Sequence, residues 1–70
     1  MKNDIRRRRE ALGLTQKELG ARVGVSRQAI NAVETGKFDP SIHLAYDLAR
    51  LFGVTIEELF DFEEGGTNDV

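Results

Sequence analysis

Apolar residues recur along the chain at three- and four-residue spacing, and the single proline, Pro40, falls between two such stretches. That period belongs to amphipathic helices, so the pattern predicts an all-α fold. Start signals divide it. Thr15 with Glu18 and Thr55 with Glu58 have the spacing of a capping box, while Ser26 and Ser41 stand as N-caps ahead of apolar patterns. Gly13, Gly24, Gly36 and Gly53 each follow a periodic segment, where a left-handed residue closes a helix. The expected elements are five helices near residues 3–12, 16–23, 27–35, 42–52 and 56–60.

The same period assigns inner faces. Ile5, Arg9 and Leu12 share one stripe of the first helix, so Arg9 points inward while Arg6, Arg7 and Arg8 are exposed, open both to phosphate attraction and to simple solvation. A buried guanidinium needs a partner. Glu34, on the inner side of the third helix, is the best placed, which predicts an Arg9–Glu34 ion pair. Ile42, Ala45, Leu48, Ala49 and Phe52 form the core stripe of the fourth helix. Leu59, Phe60 and Phe62 offer more apolar surface than so small a unit buries, which suggests a dimer seam, the alternative being Phe60 as a core residue with Phe62 loosely packed. The domain then covers residues 1–62, with 63–70 a flexible acidic tail whose composition buries too little to order itself.

Between Gln16 and Thr35 the pattern is more specific. Leu19, Val23, Val25, Ile30 and Val33 form a wedge between two helices, Gly20 is small at their crossing, and Gly24 opens a tight turn. That is a helix-turn-helix. With Ile30 and Val33 turned inward, Arg27, Gln28, Asn31 and Thr35 face out, with Ala29 and Ala32 beside them. Arg pairs with guanine O6/N7, Gln with adenine N6/N7, and Ala with a thymine methyl in the major groove. The expected base-reading set is Arg27, Gln28, Ala29 and Asn31, flanked by Gln16, Lys17, Ser26, Thr35 and Lys37 as phosphate contacts. Gln16 and Lys17 open a helix whose free N–H groups attract anions.

A net charge of −2 argues against a nucleic-acid partner only as an average. Residues 1–40 carry +4 and residues 41–70 carry −6, so a basic half can meet phosphate while the acidic half faces elsewhere. Seventy residues without cysteine hold one domain and no disulfide or metal staple. No apolar run is long enough for a membrane span, so a cytoplasmic, nucleoid-associated protein is the expectation. His43, the only histidine, has no triad partners near it, and neither enzyme chemistry nor a cofactor is expected.

The run LGLTQKELGARVGVSRQAINAVETGKFDPSIHLAYDLARLFGVTIEELF resembles the phage-repressor and Cro type of helix-turn-helix domain, the Xre family, and particularly its short stand-alone members. The match covers about residues 3–60, and LTQKELG, VSRQAINAVETGK and GVTIEELF carry it. The resemblance implies a five-helix, lambda-repressor-like fold with the helix-turn-helix in helices two and three. It also implies a regulator of transcription, a repressor or autoregulator, bound to double-stranded DNA as a two-fold homodimer on a pseudo-palindromic operator. In that family the residues matching Gln16, Arg27, Gln28 and Asn31 approach DNA, and those matching Arg9 and Glu34 commonly pair. Gly20 departs from the usual alanine and is expected to cost about 1 kcal/mol without changing the shape. A second reading is an antitoxin-like interaction subunit that grips a protein through its acidic C-terminal half.

Overall fold

A computed structural model describes residues 1–61, and the expected positions Phe62 and 63–70 lie outside the described residues. Five helices follow in order: α1 (Ile5–Ala11), α2 (Gln16–Val23), α3 (Arg27–Glu34), α4 (Ile42–Phe52) and α5 (Ile56–Leu59). Their starts follow from local chemistry. Thr15 and Thr55 each accept from the N–H three residues on and donate their own N–H to the Glu18 or Glu58 carboxylate, while Ser26 and Ser41 cap α3 and α4 alone. Every helix contributes to one core: Ile5, Leu19, Ile30, Val33, Leu44, Ala45, Leu48, Ala49 and Leu59 are buried, joined by Phe60 just beyond α5. Each large aliphatic among them stabilises the fold by about 1.5–3 kcal/mol on burial.

The crossing of α2 and α3 depends on two glycines. Gly24 closes α2 at φ +78°, a left-handed conformation that a Cβ disfavours. Gly20 lies where a Cβ would stand 2.5 Å from the Val25 carbonyl oxygen and 3.2 Å from that of Ser26. Both obstacles are backbone. The expectation that glycine here leaves the shape unchanged is therefore corrected: an alanine would push the α2–α3 turn outward, moving the start of α3 with it.

Several other expectations need correction. The first helix begins at Ile5 rather than near residue 3, because Asn3 is held instead in an antiparallel bridge with Phe60. Asp4 N–H donates to Leu59 O at 2.9 Å and Asp61 N–H to Lys2 O at 2.8 Å, pairing Asn3 antiparallel to Phe60. Leu12 is 56% exposed, since α1 ends one residue before it. Ile42 is 75% exposed: the core arc of α4 runs from Leu44 through Leu48 to Ala49, leaving Ile42 at its margin on the first turn. Leu59 and Phe60 are 1% and 2% exposed within this one chain, so they have no apolar surface left for a dimer seam.

Candidate nucleic-acid interface

The exposed face of α3 is set by what its other face buries. Ile30 and Val33 sit in the core, and at about 100° per residue Arg27, Gln28, Asn31 and Thr35 then share an arc of about 100°; all four are exposed. Ala29 is half-buried and falls well round the helix from the middle of that arc, whereas Ala32, also half-buried, borders it. Of the two alanines, Ala32 thus lies nearer the middle of the exposed arc. The difference is angular and was available from the helical period.

Among the described residues Arg27, Lys17 and Lys37 enter no ion pair, which leaves their charges free for an outside partner. Arg6 and Arg7 differ. Arg6 Nε lies 3.2 Å from Glu10 Oε2, and Arg7 binds Asp4 with both Nε and Nη2, so these exposed cations are shared with acids of their own segment. Arg8 is half-buried rather than exposed, its Nε 3.1 Å from Asp4 Oδ2. The bond from Arg7 holds the Asp4 carboxyl below its ordinary value, with Arg8 adding charge.

Behind α3 lies a polar anchor. Arg9, 8% exposed, places Nε 2.6 Å from Glu34 Oε2 and Nη2 3.3 Å from Glu34 Oε1, while its Nη1 donates to Leu14 O at 2.8 Å. The Glu34 bond holds the Arg9 guanidinium above its ordinary value, against the opposing effect of burial. Gln16, half-buried, donates from Nε2 to Glu34 Oε1 at 3.0 Å. Three helices therefore meet at one carboxylate. Gln16 accordingly has one amide hydrogen committed inward, and the residue lines a cleft with Arg6, Asn31 and Thr35.

The flanking hydroxyls have different freedom. Ser26 Oγ accepts the Ala29 N–H at 3.1 Å and keeps its own hydrogen for a ligand. Thr35 Oγ1 instead donates to Asn31 O at 2.9 Å and Ala32 O at 3.3 Å, so its hydrogen is spent on its own helix and only its lone pairs face outward. The first N–H groups of α2, on Gln16 and Lys17, precede any intrahelical acceptor and point from a helix start. Among the described residues no group of His, Cys, Asp and Glu could hold a metal ion, and no helix is long and apolar enough to cross a membrane.

Comparison with known proteins bears on this geometry. The family described as Helix-turn-helix matches residues 5–59. An uncharacterized HTH-type transcriptional regulator of Methanocaldococcus jannaschii is 48% identical over 64 residues, covering 91% of this chain and 97% of that protein. Another, of Methanothermobacter thermautotrophicus, is 49% identical over 67 residues, covering 94% and 97%. Among solved structures, the P22 c2 repressor in complex with a synthetic operator is similar at a TM-score of 0.73 and 32% identity, over 76% of this chain and 80% of that one.

Proposed function

The chain belongs to the phage-repressor and Cro-type helix-turn-helix family, and on that premise we propose that it regulates transcription by reading the major groove of double-stranded DNA with α3. The observation that carries this reading is the contrast within one helix: Ile30 and Val33 are sealed in the core while Arg27, Gln28 and Asn31 stand exposed, Arg27 without an ion-pair partner among the described residues. The N-terminal residues of such a helix reach base edges first, where Arg27 and Gln28 stand. Lys17, Lys37, Ser26, Gln16 and the α2 start serve as phosphate contacts that orient the chain without reading sequence. Thr35 takes a lesser part, since its hydroxyl hydrogen is already used. Relatives named as transcriptional regulators and a similar repressor bound to its operator support the reading.

The protein acts as a homodimer on a pseudo-palindromic operator, repressing by occluding a promoter. Apolar surface for pairing lies at Ile42, 75% exposed, and Tyr46, 51% exposed, which line a groove with Val54 and Ile56 between α4 and α5. Arg50 and Glu57 border that groove with opposite charges, which a two-fold axis would bring into complementary positions. This face replaces Leu59 and Phe60 as the seam. Selection from a random-sequence duplex library tests the function: enrichment of a two-fold symmetric site is expected, and a pool no different from the input would overturn it.

A further inference from the structure

The far end of α3 leaves carbonyls for which the helix supplies too few donors. One of them, Val33 O, accepts the Asn3 carboxamide nitrogen at 2.8 Å, from a residue 30 positions away in sequence, and also the Gly36 N–H at 3.1 Å. The same half-buried side chain donates to Met1 O at 3.2 Å, and its Oδ1 accepts the N–H of Ile5, the first residue of α1, at 3.1 Å. Its main chain lies against Phe60, between the bonds Asp4 N–H to Leu59 O and Asp61 N–H to Lys2 O. Asn3 thus joins the entry of α1 and the closing edge of the fold to the end of the reading helix.

Glu34 is the next residue along α3, and Arg9 holds it from the middle of α1. One attachment would be a pivot; two, reaching α3 from residues six positions apart in the α1 segment, resist rotation about either. We propose that Asn3 is a positioning residue of the DNA interface: its carboxamide fixes the tilt of α3, and with it the register of Arg27, Gln28 and Asn31 against base edges. The lever is long enough to matter. Eight helical residues span about 12 Å, so a tilt of about 5° displaces Arg27 by about 1 Å, more than the range of good hydrogen-bond lengths allows. This inference rests on the reading of α3 proposed above.

Asn3→Ser and Asn3→Asp separate the two duties of the side chain. Each keeps an oxygen for the Ile5 N–H, and neither donates to Val33 O: serine is too short, and aspartate has no amide hydrogen. Affinity for the duplex recovered by random-site selection and for a random-sequence duplex is measured at low temperature and one salt concentration, beside helicity by circular dichroism. The expected result for Asn3→Ser is native helicity, random-duplex affinity within about twofold of the parent, and a selected-to-random ratio lowered about tenfold, the scale of one lost base contact. A purely structural role would instead lower both affinities together. The proposal is overturned by a folded variant that keeps the parent's ratio, or by both variants failing to fold. A library that yields no enriched duplex overturns the DNA reading first, and this inference with it.

Discussion

The two ends of α3 are built on opposite principles. At its start, a single Ser26 hydroxyl caps the helix, the preceding turn is set by Gly20 and Gly24, and the charge and amide of Arg27 and Gln28 stand exposed. At its far end, the Glu34 carboxylate takes bonds from Arg9 and Gln16, and the Val33 carbonyl takes one from Asn3. One end is kept free to bind and the other is tied to two further helices. The difference teaches that a small domain can present unsatisfied polar groups to a ligand at one end of a helix when the other end is fixed by buried polar bonds.

Substitutions at the two ends should therefore separate stability from binding. The largest effect on stability is expected from Glu34→Ala, which strands the Arg9 guanidinium at a site where it is 8% exposed. The loss should be about 3 kcal/mol, lowering the melting temperature by about 12 °C or more for a chain of this length, as followed by circular dichroism. An unchanged melt would contradict the anchor. Arg27→Ala at the opposite end should leave the melt within about 0.5 kcal/mol of the parent and relax discrimination at one base position by about 1–3 kcal/mol, as read by equilibrium binding to single-base variants of the selected duplex.

Smaller effects sharpen the contrast. Ser26→Ala should cost about 1 kcal/mol in chemical denaturation, because the Ala29 N–H loses its acceptor. Gly20→Ala sets two terms against each other: about 1 kcal/mol gained in helix propensity against about 1–3 kcal/mol for forcing a Cβ onto the Val25 carbonyl. A net loss of about 1 kcal/mol is expected, with amide chemical-shift changes concentrated at residues 25–28. The mildest effect concerns pH. The backbone N–H groups of Thr15 and Thr55 hold Glu18 and Glu58 below their ordinary carboxylate values. A depressed folded value adds stability above the unfolded value, about 4.3, and loses it as pH falls through the lower folded one. The melting temperature should thus be level from neutral pH to about 5 and decline below about 4, more shallowly in the Glu18→Gln/Glu58→Gln variant.

What could be read without coordinates was mostly local. Caps announce themselves because Thr-x-x-Glu and Ser before an apolar run are short-range chemistry, and all five observed helices begin beside such a signal except α1. That exception has a cause: Asp4 at the start of α1 makes no side-chain cap, and the Ile5 N–H is taken by Asn3, whose carboxamide also reaches Val33 and whose main chain pairs with Phe60, contacts separated by tens of residues. Arg9 was legible as inward-facing from its spacing to Ile5, and Glu34 as the nearest inner acid; the third member of the anchor, Gln16, was assigned outward because a helix start suggests solvent. Whether Leu59 and Phe60 belong to a seam or to the core is not decided locally, since nothing in ELF says that residues 2–4 lie alongside them. How Ala29 and Ala32 sit relative to the exposed face is instead a matter of arc, readable from the helical period alone.

The role proposed for α3 in reading base pairs is tested most directly by equilibrium binding of the parent and Arg27→Ala to the selected duplex and its single-base variants across a range of salt. The parent should bind its selected site well above random sequence and weaken steeply as salt rises, while Arg27→Ala should keep that salt slope to within about one unit and lose selectivity at one base position. Equal loss across all sequences, or unaltered selectivity, would contradict it.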